Sequence, residues 1–245
     1  MSKKSILILG AKSDIGISVA HRFASEGFDV YLAARNSINL KDDCSDIKIR
    51  YDVNSSFHEF DVLKLDTHEH FILSLPEIPN VVLSAVGYLG EQNKDQFDFR
   101  QAIKVIRTNY EGVVNIFGLF ANHFEKRGYG TLIGISSVAG DRGRSLNYIY
   151  GSAKAGLSAY LSGLRNRLYS KGINVITVKP GFVNTKMTSK LKMNPLLTTN
   201  SSRVSKYIYE AYKYKKTVVY ITKIWFIIMI FIKLIPEKIF RMLKF

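Results

Sequence analysis

The feature that most constrains this chain is a rhythm: short unbroken apolar runs alternate with longer amphipathic stretches along nearly its whole length. The runs fall at residues 5–9, 29–34, 57–63, 80–85, 131–136, 174–179 and 218–222. They lack a clean polar/apolar alternation, so they read as strands buried on both faces, which a parallel sheet requires. Helical periodicity between them predicts helices over 14–26, 68–75, 97–127, 148–170 and 203–214. Strands that alternate with helices specify a doubly wound α/β domain around a seven-stranded parallel sheet. The 245 residues suit one such domain, expected over 1–222, with a tail over 223–245. A hydrophobic content of 47% with 22% charged residues excludes collagen-like, disordered and coiled-coil classes.

The opening Met1-Ser-Lys-Lys-Ser resembles the charged start of a signal peptide, but Ile6-Leu-Ile-Leu9 is too short for its apolar region and runs into Gly10. It reads as the first buried strand, with no export signal expected. The single Cys44 leaves no disulfide framework and fits a reducing cytosol. His58, His68 and His70 lack metal-ligand spacing, so a solvated or core role is expected for each, and no metal.

The first strand ends in Gly10-Ala-Lys-Ser-Asp-Ile-Gly16. Glycine permits a tight strand-to-helix turn and lets backbone approach a phosphate, while the following helix start supplies N–H donors and a positive dipole. The second strand closes on Arg35, where a dinucleotide's adenosine ribose would lie. An acid there would bind a ribose 2′-hydroxyl, whereas arginine favours a 2′-phosphate, so Arg35 leans to NADP(H) over NAD(H), and Lys12 could add a second cation.

At Ser137 and Tyr150-Gly-Ser-Ala-Lys154 the chain resembles the short-chain dehydrogenase/reductase family. The YxxxK pair matches at Tyr150 and Lys154, with Ser137 thirteen residues before the tyrosine; Asn109 and Pro180-Gly181-Phe-Val-Asn-Thr185 extend the match. The resemblance covers residues 5 to about 222 and implies a Rossmann fold and an NAD(P)-dependent oxidoreductase. It assigns catalysis to Ser137, Tyr150, Lys154 and Asn109, with Asn109 holding a proton-relaying water and Lys154 also binding the nicotinamide ribose. It assigns cofactor contacts to Gly10, Lys12, Ser13, Asp14, Ile15, Gly16, Arg35, Asp61, Ala85, Gly87, Tyr150, Lys154, Pro180, Gly181, Val183 and Thr185. The chemistry is coherent in its own right. Tyr150 and Lys154 stand one helical turn apart on one face, and a nearby ammonium is expected to lower the phenol from its usual pKa of about 10. Tyr150 would then serve as general acid or base, and Ser137 would hydrogen-bond a carbonyl oxygen.

Some positions depart from the family pattern. Leu9 and Asp14 replace the Thr and the middle Gly of its TGxxxGxG turn, and Ser84-Ala-Val-Gly87 stands for its NNAG. The adenine-contacting acid is either Asp52 or Asp61, of which Asp61 ends the better strand. The Ser-Asp-Ile-Gly turn and Ala85-Val-Gly-Tyr-Leu-Gly-Glu-Gln92 are similar to the decaprenylphosphoryl-erythro-pentofuranosid-2-ulose 2-reductase subgroup, whose substrates are polyprenyl-phosphate-linked sugars.

Charge is concentrated late in the chain. Of a net +15, residues 186–245 hold thirteen Lys/Arg against only Glu210 and Glu237. Such a tail attracts a polyanion. Nine apolar residues from Ile224 to Ile232 would rise about 14 Å, half of a hydrocarbon core of about 30 Å. After Pro236, Lys233, Glu237, Arg241 and Lys244 are expected to trace one polar stripe of an interfacial helix. An anionic membrane surface is therefore expected as partner, at the cytoplasmic side and peripheral; a dimer interface or a cover for the active site are the alternatives. Nucleic acid is not expected, since the tail holds no base-reading motif. The resemblance implies a homodimer paired through helices at 97–127 and 148–170. The expected activity is NADPH-dependent reduction of a ketone, a keto-sugar on a polyprenyl phosphate in envelope or capsule glycan synthesis. The rivals are a reductase of another lipid-like ketone (steroid, retinoid or acyl chain) and a non-catalytic NADPH-sensing scaffold.

Overall fold

The structure, a computed structural model, describes residues 3–189 and 191–243. β1 (Ser5–Leu9), α1 (Asp14–Ala24), β2 (Asp29–Ala34), α2 (Lys41–Tyr51), β3 (Ser55–Glu59), α3 (His68–Leu73) and β4 (Val81–Ser84) form the first half. α4 (Gln92–Asp95), α5 (Phe99–Ile106), a π-helical turn at Arg107–Glu111, α6 (Gly112–Arg127), β5 (Gly130–Ile135), α7 (Tyr148–Leu168) and β6 (Ile173–Lys179) follow. β7 (Phe182–Asn184), β8 (Thr198–Asn200), α8 (Ser201–Lys213), β9 (Val218–Tyr220), α9 (Lys223–Leu234) and α10 (Glu237–Phe240) complete the chain.

Seven strands make one parallel sheet in the order β3-β2-β1-β4-β5-β6-β9, while β7 and β8 pair apart from it. Each central strand must bury both faces, which explains why its residues are mostly apolar. In β1, Ile6 and Ile8 enter a layer with Val19 and Phe23 of α1 and Ile208 of α8. Leu7 and Leu9 enter the opposite layer with Phe117 and Phe120 of α6 and Leu161 of α7. The strand order reverses between β1 and β4, and the crevice outside the carboxyl ends of strands at such a switch point is where ligands of open α/β sheets bind.

Several expected boundaries shift. The third strand ends at Glu59, not Leu63, because Leu63 N turns back onto the Asp61 carboxylate at 3.0 Å. The helix expected over 97–127 is divided by the π turn at Arg107–Glu111. α2 had no counterpart among the expected helices: it is strongly polar and buries only Cys44 and Ile47. The tail also differs. α9 stops at Leu234 and α10 spans only four residues after Pro236, so Lys233 and Glu237 do not share one helix, and the single polar stripe is not formed. Lys244, its last member, lies outside the described residues. Among those residues no helix is long and apolar enough to cross a membrane.

Candidate active site

At the switch point, Gly10 leaves β1 at φ 80°, a conformation that costs glycine little. A Cβ there would lie 2.8 Å from Val86 N and 2.9 Å from Ala85 C, so the turns after β1 and β4 touch backbone to backbone. Ser13 caps α1: its hydroxyl accepts from Gly16 N at 3.0 Å and donates to Gly10 O at 2.8 Å. These contacts open the α1 N-terminus toward a cavity of about 860 Å³. Gly10, Lys12, Ser13, Arg35, Asp61, Ala85 and Gly87, all expected from the sequence, line it.

Arg35 and Lys12 are exposed at its edge, with Lys12 Nζ 3.4 Å from Arg35 O. Glu59, which the sequence reading overlooked, fixes the turn beside them. Its carboxylate accepts from Ser37 N at 2.8 Å and from Asn36 N at 2.9 Å, and these backbone bonds hold it below the usual carboxylate range. Asn36 is thereby kept in the left-handed region at φ 52°. The signal for Glu59 was present in its position at the strand end, two residues before Asp61. Lys64 and Lys104, also overlooked, add cations to the cavity. Between the two candidate acids, Asp61 lines the cavity, whereas Asp52 ends α2, where its carbonyl accepts from Lys3 Nζ at 3.1 Å. His68 is a core residue as expected, fully buried, with Nε2 3.2 Å from Asp61 O and Nδ1 2.8 Å from Asn115 Oδ1.

Other expected contacts lie off the cavity. Ile15 packs against the core, and Val183 is buried in it. Thr185 caps a short turn through Thr188. Pro180 O accepts from Val138 N at 3.0 Å. Asp14 reaches across the cleft instead: its carboxylate accepts from Lys186 N at 2.6 Å, joining the glycine turn to the loop after β7.

The catalytic candidates gather beyond Gly87. A Cβ on Gly87 would sit 3.4 Å from Asn109 Oδ1 and 4.0 Å from Lys154 Nζ, so the cavity floor meets them directly. Ser137 ends the segment after β5, its hydroxyl accepting from Ala139 N at 3.1 Å. That segment lies against the α7 backbone: a Cβ on Gly140 would stand 2.6 Å from Lys154 C, and one on Gly151 2.8 Å from Ala139 O. Ser136 adds a bond to Lys154 O at 2.9 Å. This close approach sets Ser137 toward Tyr150. Lys154 is buried, its Nζ donating to Ile135 O at 2.9 Å and lying 5.7 Å from the centre of the Tyr150 ring. Asn109, in the π turn, is fully buried, and its amide group is committed to backbone: Nδ2 donates to Tyr88 O at 2.6 Å and Val105 O at 2.9 Å, and Oδ1 accepts from Tyr88 N at 3.3 Å. Its side chain thus holds the Gly87–Tyr88 backbone in place.

Burial sets the electrostatics of the pair. Burial pushes the Tyr150 phenol up to about 12, with only the facing Ser137 hydroxyl drawing it down. Burial also lowers Lys154, to about 7, since its neighbour is a carbonyl and not an anion. In the protein alone, burial dominates at both groups, raising the phenol and lowering the amine.

Known proteins give the chain a family. The family model for short chain dehydrogenase matches residues 4–195. An uncharacterized oxidoreductase of Mycobacterium tuberculosis is 35% identical over 197 residues, 79% of each chain. This chain belongs to the short-chain dehydrogenase family. It is an NAD(P)-dependent oxidoreductase of that family. Another such relative, an uncharacterized oxidoreductase of Streptomyces coelicolor, is 36% identical over 184 residues, 74% of this chain and 72% of its own. Among solved structures, a short-chain dehydrogenase from Sphingobium yanoikuyae in complex with NADPH superposes with a TM-score of 0.81 at 22% identity, covering 89% of this chain and 87% of its own. A bulky-bulky ketone specific alcohol dehydrogenase from Comamonas testosteroni gives 0.80 at 20% identity, covering 97% and 96%. These two likenesses concern the fold. The family match ends before α8, so the tail lies outside it.

Proposed function

We propose that the protein is an NADPH-dependent ketone reductase acting on a keto-sugar carried by a polyprenyl phosphate, in envelope or capsule glycan synthesis. The observation that carries the reductase reading is that Lys154, beside Tyr150 and through it Ser137, comes up to Gly87 at the wall of the phosphate-suited cavity. The cavity fits a dinucleotide: two backbone turns meet at Gly10 with no room for a Cβ, the α1 N-terminus opens beside them, and Lys12, Arg35, Lys64 and Lys104 outnumber Glu59 and Asp61. Arg35 and Lys12 at its rim favour a 2′-phosphate, and hence NADP(H). The Sphingobium yanoikuyae neighbour carries NADPH, and the Comamonas testosteroni neighbour is specific for bulky ketones.

The bound nicotinamide supplies the hydride. Ser137 orients the carbonyl oxygen. Tyr150, protonated at neutral pH, donates its proton to that oxygen as negative charge develops there, so the resting site is set for reduction. Lys154 would hold the nicotinamide ribose and, once charged, would ease loss of the phenolic proton. Asn109 fixes the Gly87–Tyr88 backbone, which would bear on the cofactor when it binds.

The lipid-linked substrate rests on the two segments similar to the polyprenyl-sugar subgroup and on α9, whose Phe226, Ile227, Phe231 and Leu234 are exposed. Twelve residues of α9 span about 18 Å, too short to cross a core of about 30 Å but suited to lying on it. The reading places the protein peripherally on the cytoplasmic face of a membrane. Exposed Phe99, Ile103 and Ile106 on α5 support pairing of two copies. The test is hydride tracing: deuterated NADPH incubated with the protein and the host's lipid extract should place one deuterium on a carbinol carbon of a lipid-linked sugar. Label appearing only in water-soluble alcohols would reject the lipid-linked substrate.

A further inference from the structure

α9 divides its residues by helical period. Trp225 and Met229 face inward and are buried against Val138, with Phe182, Leu197 and Tyr220 packed around them. Those partners come from the segment after Ser137, from β7, from the loop between β7 and β8 and from β9; that loop also reaches the site, since a Cβ on Gly87 would lie 3.5 Å from Met187 Cε. Trp225 Nε1 donates to Leu197 O at 2.9 Å. Gly181 lies so close that a Cβ there would stand 2.0 Å from the indole. Arg142, five residues past Ser137, donates to Ile232 O at 2.6 Å and Ile235 O at 2.5 Å, pairs with Glu237 at 2.9 Å and lies 3.7 Å over the Phe240 ring.

The helix is therefore keyed from one side to the segments that flank the catalytic serine and the end of β6. Its root is strained: Thr222, β-branched, sits at φ 69°. Such a conformation persists where packing imposes it, which places the hold on α9 in the Trp225 and Arg142 contacts. The loop at 186–197 is tied at both ends, at Lys186 N by Asp14 and at Leu197 O by Trp225.

Resting on the membrane reading above, we infer that contact of the outer face of α9 with an anionic lipid surface is transmitted through Trp225 to the 186–197 loop and orders the substrate side of the site. The occupant is argued from charge. Lys223, Lys233, Lys238 and Arg241 are exposed on the same tail as the apolar residues, and the only acid of the described tail, Glu237, is already paired with Arg142. Two copies meeting through this face would repel, whereas anionic headgroups would complement it.

Trp225 is the only tryptophan in the chain, so its emission reports on this joint alone. The experiment uses the full chain with phosphatidylglycerol or phosphatidylcholine vesicles. Flotation measures binding, tryptophan emission measures the joint, and trypsin cleavage after Lys186, Lys190 and Lys192 measures the loop. Trp225→Phe retains a ring but loses the N–H bond to Leu197. The expected result is flotation with phosphatidylglycerol only, a shift in emission, and cleavage slowed about fivefold, the low end of ordinary coupling between sites. Trp225→Phe should float equally and lose most of that protection. Flotation with unchanged emission and cleavage overturns the coupling while the membrane reading stands. Equal protection in Trp225→Phe shows plain shielding by lipid and also overturns it. Failure to float with either lipid removes the membrane reading and the inference with it.

Discussion

Lys154 is the residue whose energetics the fold alters most. Its amine is buried with a carbonyl as neighbour and titrates at about 7, against an ordinary 10.5. Between those values the unfolded chain binds a proton that the folded chain does not, so stability rises with pH across that window. Tyr150 acts oppositely: its folded pKa of about 12 exceeds the ordinary 10.0, so stability falls as pH climbs from 10 toward 12. Denaturant midpoints measured from pH 7 to pH 10 should therefore increase, and Lys154→Met should flatten that increase. An unchanged slope in the variant would show that the buried lysine is not its source. The pair itself was legible in the sequence, because Tyr150 and Lys154 lie four apart at the start of one helix. Their protonation was not, since it depends on how deeply the Ser137 segment is pressed against α7. Asn109 was legible as a position, but its commitment to Tyr88 and Val105 depends on the π turn, which periodicity does not mark.

At the scale of elements, the turn after β2 is where the proposed function puts the choice of cofactor. Arg35 is exposed there beside Lys12, and Glu59 holds the turn rigid through two backbone bonds. Charge-assisted bonds to a phosphate contribute about 1.5–3 kcal/mol, or about 10- to 100-fold in affinity. Arg35→Ala should weaken NADPH binding by that factor and leave NADH nearly unaffected, as read by titration calorimetry; equal losses for both would remove Arg35 from the 2′-phosphate. The central strands of the sheet could be read from sequence because burial on both faces demands apolar runs, whereas the edge strand β3, Ser-Ser-Phe-His-Glu, is polar and half-buried and was placed out of register. α2 could not, because only Cys44 and Ile47 anchor it and its charged surface shows no stripe. β7 and β8 were equally hidden: three residues each, they exist only because the loop after β6 folds back on itself.

For the whole molecule, the glycine turn joins the loop after β7 through Asp14 and Lys186, and the tail joins the segment after Ser137 through Trp225 and Val138. The tail was legible as apolar and basic, but its inner face was not, since Trp225 and Met229 look like any other members of an apolar run until Gly181 and Leu197 are placed against them. The account depends on Tyr150 being the proton donor of an NADPH-linked reduction. The most direct measurement follows NADPH oxidation by the purified protein with its host's lipid extract, comparing the natural chain with Tyr150→Phe. The natural chain should oxidise NADPH with the lipid fraction, while the variant binds NADPH with equal affinity and turns over about 10²- to 10⁴-fold more slowly, the usual contribution of a positioned acid. Equal turnover by the two proteins would contradict the mechanism.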